Sequence, residues 1–178
     1  LKTYTTRTAW DGLLIENVGF LVPTRDGQFW LATKNGGISK YDPKLDQFTN
    51  YNDVLGELMD VNFWARALAE DKQGRLWIGT LRHGVIVLDP KKKEVVMHRH
   101  QPTHVMGVIS DQYGNSWYGD VNQLAYYNIA EDNVVNFPTS RKITSLVEDP
   151  LSKRTWRSTG CQVAYLALTT SKIQAADA

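Results

Sequence analysis

Short runs of alternating apolar and polar residues recur along the chain, each interrupted by a turn. Four segments share one pattern. They read VGFLVPTRDGQFWLATKNGGISKYDP from Val18, ARALAEDKQGRLWIGTLRHGVIVLDP from Ala65, VMGVISDQYGNSWYGDVNQLAYYNIA from Val105 and ITSLVEDPLSKRTWRSTGCQVAYLAL from Ile143. In each, an apolar run leads into an Asp-containing turn, then Trp, then Thr or Asp three residues later, then another apolar run. Alternation with period two predicts half-buried strands. The tryptophans in register are Trp30, Trp77, Trp117 and Trp156, at steps of 47 (77−30), 40 (117−77) and 39 (156−117).

The second unit shows how one repeat is built. Residues 65–70 alternate and precede the turn Asp71-Lys72-Gln73-Gly74. Residues 75–80 and 85–89 form the next strands, Pro90-Lys91-Lys92-Lys93 turns again, and residues 94–98 form the fourth. Four short strands joined by Gly, Asp, Pro and Lys turns make an antiparallel meander. A period of about 40 residues with one such meander per unit predicts an all-β chain, a β-propeller of about four four-stranded antiparallel blades. The blade units span 18–51, 64–98, 105–137 and 143–170. Gly27, Gly74 and Gly114 fall where the turns need a positive φ. Residues 1–5 (LKTYT) read as a fourth strand without its blade, whereas SKIQAADA from Ser171 is poor strand sequence. Residues 1–5 are therefore expected to complete the last blade and close a four-bladed ring. A fragment cut at the same point from a larger propeller satisfies the same arithmetic. The longest connection, residues 53–62, carries Leu55, Leu58 and Met59 at helical spacing and predicts a short helical turn over a blade.

Composition narrows the function classes. The 178 residues are enough for a sizeable core, and the formal net charge of +1 gives no overall field for nucleic acid or an anionic membrane. Cys161 is the only cysteine, so no intrachain disulfide forms. No stretch approaches the roughly 20 apolar residues of a membrane span. Leu1 begins inside patterned sequence, so the chain reads as a mature or excised fragment.

Residues 70–80, Glu-Asp-Lys-Gln-Gly-Arg-Leu-Trp-Ile-Gly-Thr, closely resemble the two-component regulator propeller repeat. So does Asp26-Gly27-Gln28-Phe29-Trp30-Leu31-Ala32-Thr33, with Gly36-Gly37-Ile38-Ser39-Lys40-Tyr41-Asp42-Pro43 after it. The third unit departs with Asp120 in place of Thr and Gln123-Leu124 in place of the Gly pair. The fourth keeps Glu148-Asp149, Trp156 and Thr159. The resemblance implies an extracytoplasmic, periplasmic sensor region of a bacterial signal-transduction receptor, a family whose members often sense carbohydrate breakdown products. It also implies further blades or self-association as partners.

The repeated residues are read as structural: each Trp packs between blades and each of Asp26, Asp71, Asp111 and Asp149 caps a turn. Chemistry is sought in what does not repeat. Loops joining second to third strands, and fourth strands to the next blade, gather on one face around a propeller channel. That face collects Lys34, Asn35, Trp64, Arg66, Arg82, His83, His104, Asp120, Asn122 and Gln162, a set suited to a polar small molecule such as an oligosaccharide. No cofactor and no metal are expected, although His98 and His100 share a strand face. No catalytic motif is present, and binding is favoured over catalysis. The alternatives are a streptogramin lyase-like lyase or hydrolase, with His83 as base and Asp120 as partner, and a protein-interaction scaffold.

Overall fold

In the computed structural model each Trp-bearing unit is one sheet. The structure describes residues 18–33, 37–60, 63–100, 104–121, 123–128, 130–139, 142–149, 151–152, 154–159, 162–169 and 172–177. The first blade is β1 (Val18–Pro23), β2 (Phe29–Thr33), β3 (Gly37–Asp42) and β4 (Gln47–Asn50). The second is β5 (Ala65–Glu70), β6 (Leu76–Thr80), β7 (Val85–Asp89) and β8 (Glu94–Arg99). The third is β9 (Gly107–Ser110), β10 (Ser116–Gly119), β11 (Gln123–Asn128) and β12 (Asn133–Pro138). The fourth is β13 (Ile143–Glu148), β14 (Thr155–Thr159), β15 (Gln162–Thr169) and β16 (Lys172–Asp177). Within each sheet the strands pair antiparallel in sequence order.

One expectation is corrected here. The outer place of the fourth sheet is held by β16, which pairs with β15 from Thr169↔Lys172 to Ala164↔Asp177. Residues 1–5 lie outside the described residues. The fourth unit thus runs to Asp177 rather than ending at 170. The physical reason is proximity: a hairpin closes a far shorter loop than a strand returning from the other end of the chain. Lys-Ile-Gln-Ala also alternates in its first four positions.

The innermost strands touch in the order β1, β5, β9 and β13, and no comparable contact joins β13 back to β1 among the described residues. They follow an arc. Along it Leu21 and Val147 are 58% and 56% exposed.

Middle strands lie between two other blades and bury both faces, which is why β6 and β7 read as almost unbroken apolar runs. Leu76 and Ile78 join Trp30, Ile38 and Phe63 between the first and second blades. Trp77, on the opposite face of β6, packs with Val105, Tyr118 and Tyr127 of the third. Trp117 repeats the arrangement against Ile143 and Leu146 of the fourth. Gly79 and Gly119 sit at the close approach: a Cβ on Gly119 would lie 2.5 Å from Ile143 Cγ2, and one on Gly79 would lie 2.7 Å from Val105 Cγ1.

Residues 53–62 behave as expected where described. A helical turn, α1 (Asn52–Leu55), runs into a 3-10 turn, Gly56–Leu58, and Leu55 is buried in the first core cluster with Leu58 and Met59 against it.

Candidate functional site

The β1–β2 type turns set the frame on one face of the molecule. Asp71 is fully buried. Its Oδ1 accepts the N–H groups of Gln73 (3.0 Å) and Arg75 (2.9 Å). Its Oδ2 accepts Arg75 Nε at 2.6 Å and the Trp77 indole N–H at 2.9 Å. Asp111 repeats this with Tyr113, Asn115 and Trp117. The carboxylate thus caps the turn and fixes the inter-blade Trp at once. Asp149 caps its own turn through Leu151 and Ser152.

Asp26 caps its turn through the Gln28 N–H at 3.4 Å but does not take the place of Asp71 and Asp111 beside the Trp. Six residues before Trp30 stands Thr24, whose hydroxyl accepts the Gln28 N–H at 2.8 Å and donates to Asp26. A hydroxyl is too short to reach the indole, and Trp30 Nε1, on a fully buried ring, has no acceptor. The hydrogen bond from Thr24, opposed by partial desolvation and helped by the Lys40 charge, holds the Asp26 carboxyl below its ordinary range. A second recurring contact clasps neighbouring blades. Glu70 accepts the Arg25 N–H at 3.3 Å and Glu148 accepts the Gln112 N–H at 3.0 Å. Ser110 stands at the same register with its hydroxyl buried and unpaired.

At the opposite face the expected channel residues are partly assembled. Lys34, Asn35 and Asn122 lie outside the described residues, and Gln162 is the first residue of β15. Trp64 and Arg66 meet, the guanidinium carbon lying 4.9 Å from the indole centroid. Arg66 is the extra residue where the β5–β6 register shifts between Ala65 and Ala67. A bulge of this kind re-aims a side chain. Matching shifts occur at Gly19 in β1 and Thr144 in β13. Arg66 Nε is buried without a hydrogen-bond acceptor.

The Trp64 carbonyl accepts the Leu81 N–H at 2.9 Å, tying the β6–β7 loop to the entry of β5. In that loop Arg82 is exposed, while His83 stacks on Phe63 with ring centroids 6.2 Å apart. His83 Nε2 lies 3.0 Å from Asp60 Oδ1. Asp120 is therefore not shown as its partner. The Asp120 carboxylate instead accepts the Gln123 N–H at 2.8 Å, closing its own turn. His104 is exposed beside Val105, whose N–H donates to the Thr80 carbonyl. Blade 2 thus gathers Trp64, Arg66, Arg82 and His83 at one rim, and Asp120 belongs to the next blade.

Strand alternation does bring His98 and His100 together, with rings edge to face at 6.2 Å. His98 Nε2 is 2.8 Å from the His83 carbonyl oxygen. Among the described residues no group of three or more His, Cys, Asp or Glu is placed to hold a metal. No helix of the described residues is long and apolar enough to cross a membrane.

Sequence reasoning missed Thr24 and the Glu70–Arg25 clasp. Counting back from each Trp, rather than matching acids by eye, distinguishes Thr24 from Asp26. The clasp had no comparable signal, because it joins a side chain to a backbone N–H of another blade.

Residues 57–82 match the family model for the two component regulator propeller. The fold is shared with the extracellular domain of the hybrid two component system BT4673 from B. thetaiotaomicron. That pair is 18% identical with a TM-score of 0.75 over 93% of this chain and 23% of the other. The extracellular domain of the hybrid two component system BT3049 from the same organism gives 22% identity and a TM-score of 0.73, over 93% and 22% of the chains. The chain therefore spans under a quarter of the length of these structures. Virginiamycin B lyase from Staphylococcus aureus shares the fold at 11% identity and a TM-score of 0.70, over 90% of this chain and 55% of that one. No curated protein matches the chain at the level of sequence.

Proposed function

We propose that this chain is a ligand-sensing propeller segment of a bacterial signal-transduction receptor, lying outside the cytoplasmic membrane. The family repeat and the likeness to extracellular domains of hybrid two-component systems support this reading. The ligand is a polar small molecule, an oligosaccharide in the first instance, taken at the rim formed by the β6–β7 loop and the entry of β5. The observation that carries the proposal is Arg66: a bulge places it at the end of an innermost strand, stacked on Trp64, with Nε buried and unpaired. An aromatic face beside a guanidinium suits a sugar ring and its hydroxyl or carboxyl groups. Lys34, Asn35, Asn122 and Gln162 are proposed to complete the rim with Arg82, His83, His104 and Asp120. Ligand capture there would be passed on through blade packing rather than through catalysis.

Calorimetry against a panel of neutral and acidic oligosaccharides tests this. Arg66→Ala and Trp64→Ala are expected each to weaken saturable binding at least tenfold while circular dichroism stays unchanged. Equal affinity in both variants would remove this face.

A further inference from the structure

A cleft of about 510 Å³ opens between the first and second blades, at the end of the sheets opposite the Trp64–Arg66 rim. Its volume lies within the range of small-molecule sites, roughly 300–1,000 Å³. Arg25 and Lys40 line it from the first blade, and Lys72 and Lys91 line it from turns of the second.

Three carboxylates also line the cleft, and each is already engaged. Asp42 accepts the N–H groups of Lys44 (2.8 Å) and Leu45 (3.2 Å) and the side-chain amide of Gln28. Glu70 takes the Arg25 N–H. Asp26 receives the Thr24 hydroxyl and Lys40, the latter at 3.3 Å. Lys40 is itself held in place, only 16% exposed, with its ammonium 5.3 Å from the Trp30 ring centroid. The Arg25, Lys72 and Lys91 side chains have no carboxylate partner among the described residues.

The turn of the first blade differs from that of the second. There the buried turn acid Asp71 is matched by Arg75, whereas Thr24 and Gln28 stand at those places in the first blade. Loss of the acid leaves the Trp30 indole N–H buried without an acceptor, on the ring that backs Lys40.

We propose that this cleft binds a small organic anion carrying a carboxylate or phosphate group, clamped between Arg25 and Lys40 on one side and Lys72 and Lys91 on the other. Guanidinium and ammonium groups converging on a cleft are the recognition chemistry of such anions. Bound there, the anion bridges two blades, and its site is separate from the channel rim.

Calorimetric titration of the protein with glucose 6-phosphate, D-glucuronate and neutral glucose tests the proposal, at low and at raised salt. Saturable binding of a charged sugar but not of glucose is expected, weakened at least tenfold by Lys72→Gln combined with Lys91→Gln and weakened by salt. Lys92→Gln, on the same turn but outside the cleft, is expected to leave it unchanged. Three results would overturn it: no saturable binding of either anion by folded protein, equal affinity for glucose, or an equal loss in Lys92→Gln.

Discussion

Asp71 and Trp77, six residues apart, are joined by a buried hydrogen bond of 2.9 Å across the strand that follows their turn. Asp111 and Trp117 repeat it at 3.1 Å. The pair couples the conformation of a turn to the seating of the residue that cements one blade to the next. It is the physical content of the repeat's acid-to-Trp spacing.

Removing the acid should be costly. Asp71→Ala strips two backbone N–H groups, the indole and Arg75 of their acceptor, and leaves the guanidinium without its buried partner. A loss of about 3–5 kcal/mol is expected, read as a lower urea midpoint.

The converse change should help. Thr24→Asp combined with Asp26→Gln, the pair found as Asp71 and Gln73 in the second blade, gives Trp30 Nε1 the acceptor it lacks without opposing carboxylates and is expected to add about 1 kcal/mol. Thermal denaturation reports the gain, and slowed exchange of the Trp30 indole proton identifies its source.

Blade spacing is set by glycine at two positions. Gly119→Ala forces Ile143 to move and should cost about 1–3 kcal/mol. Combining it with Ile143→Ala should recover part of that loss, and a double-mutant cycle by chemical denaturation measures the coupling.

The tyrosines predict an alkaline limit. Burial pushes Tyr51, Tyr118, Tyr126 and Tyr127 above the ordinary phenol value, and Tyr127 is pushed further by its hydrogen bond to Asp132. A raised folded value means the fold binds the phenolic proton more tightly than the unfolded chain does. Its contribution to stability is complete below about pH 10 and is lost as pH rises through the raised values. Ultraviolet titration of tyrosinate in native and urea-unfolded protein, alongside stability at the same pH, checks the sign. Ionisation of these four at the unfolded pKa would contradict it.

Much of the architecture was legible because it is local. Trp30, Trp77, Trp117 and Trp156 gave the blade period, and Gly27, Gly74 and Gly114 sit at φ of 83°, 79° and 91° as their turns demanded. Leu55 betrayed the helical turn by its spacing. What escaped was set by tertiary geometry. Thr24 and Asp26 both look like turn residues, and the reach to an indole gives the six-residue spacing that tells them apart its meaning. β16 has weak strand propensity of its own and owes its place to its hairpin partner β15. At the site, His83 and Asp60 lie 23 positions apart and meet through the packing of a connection on a loop, which spacing does not reveal.

Every sheet is assembled from strands consecutive in sequence, with each hairpin closed before the next blade begins. Most of the entropy of ordering a blade is therefore met by short-range pairing, and neighbours contribute chiefly through the Trp layers between them. Such a chain has low contact order for a β protein. Its folding can start in any blade and spread outward, as in a one-dimensional array of coupled units. A defect in one Trp layer should then lower cooperativity, splitting a single unfolding transition at that boundary instead of weakening all four blades alike.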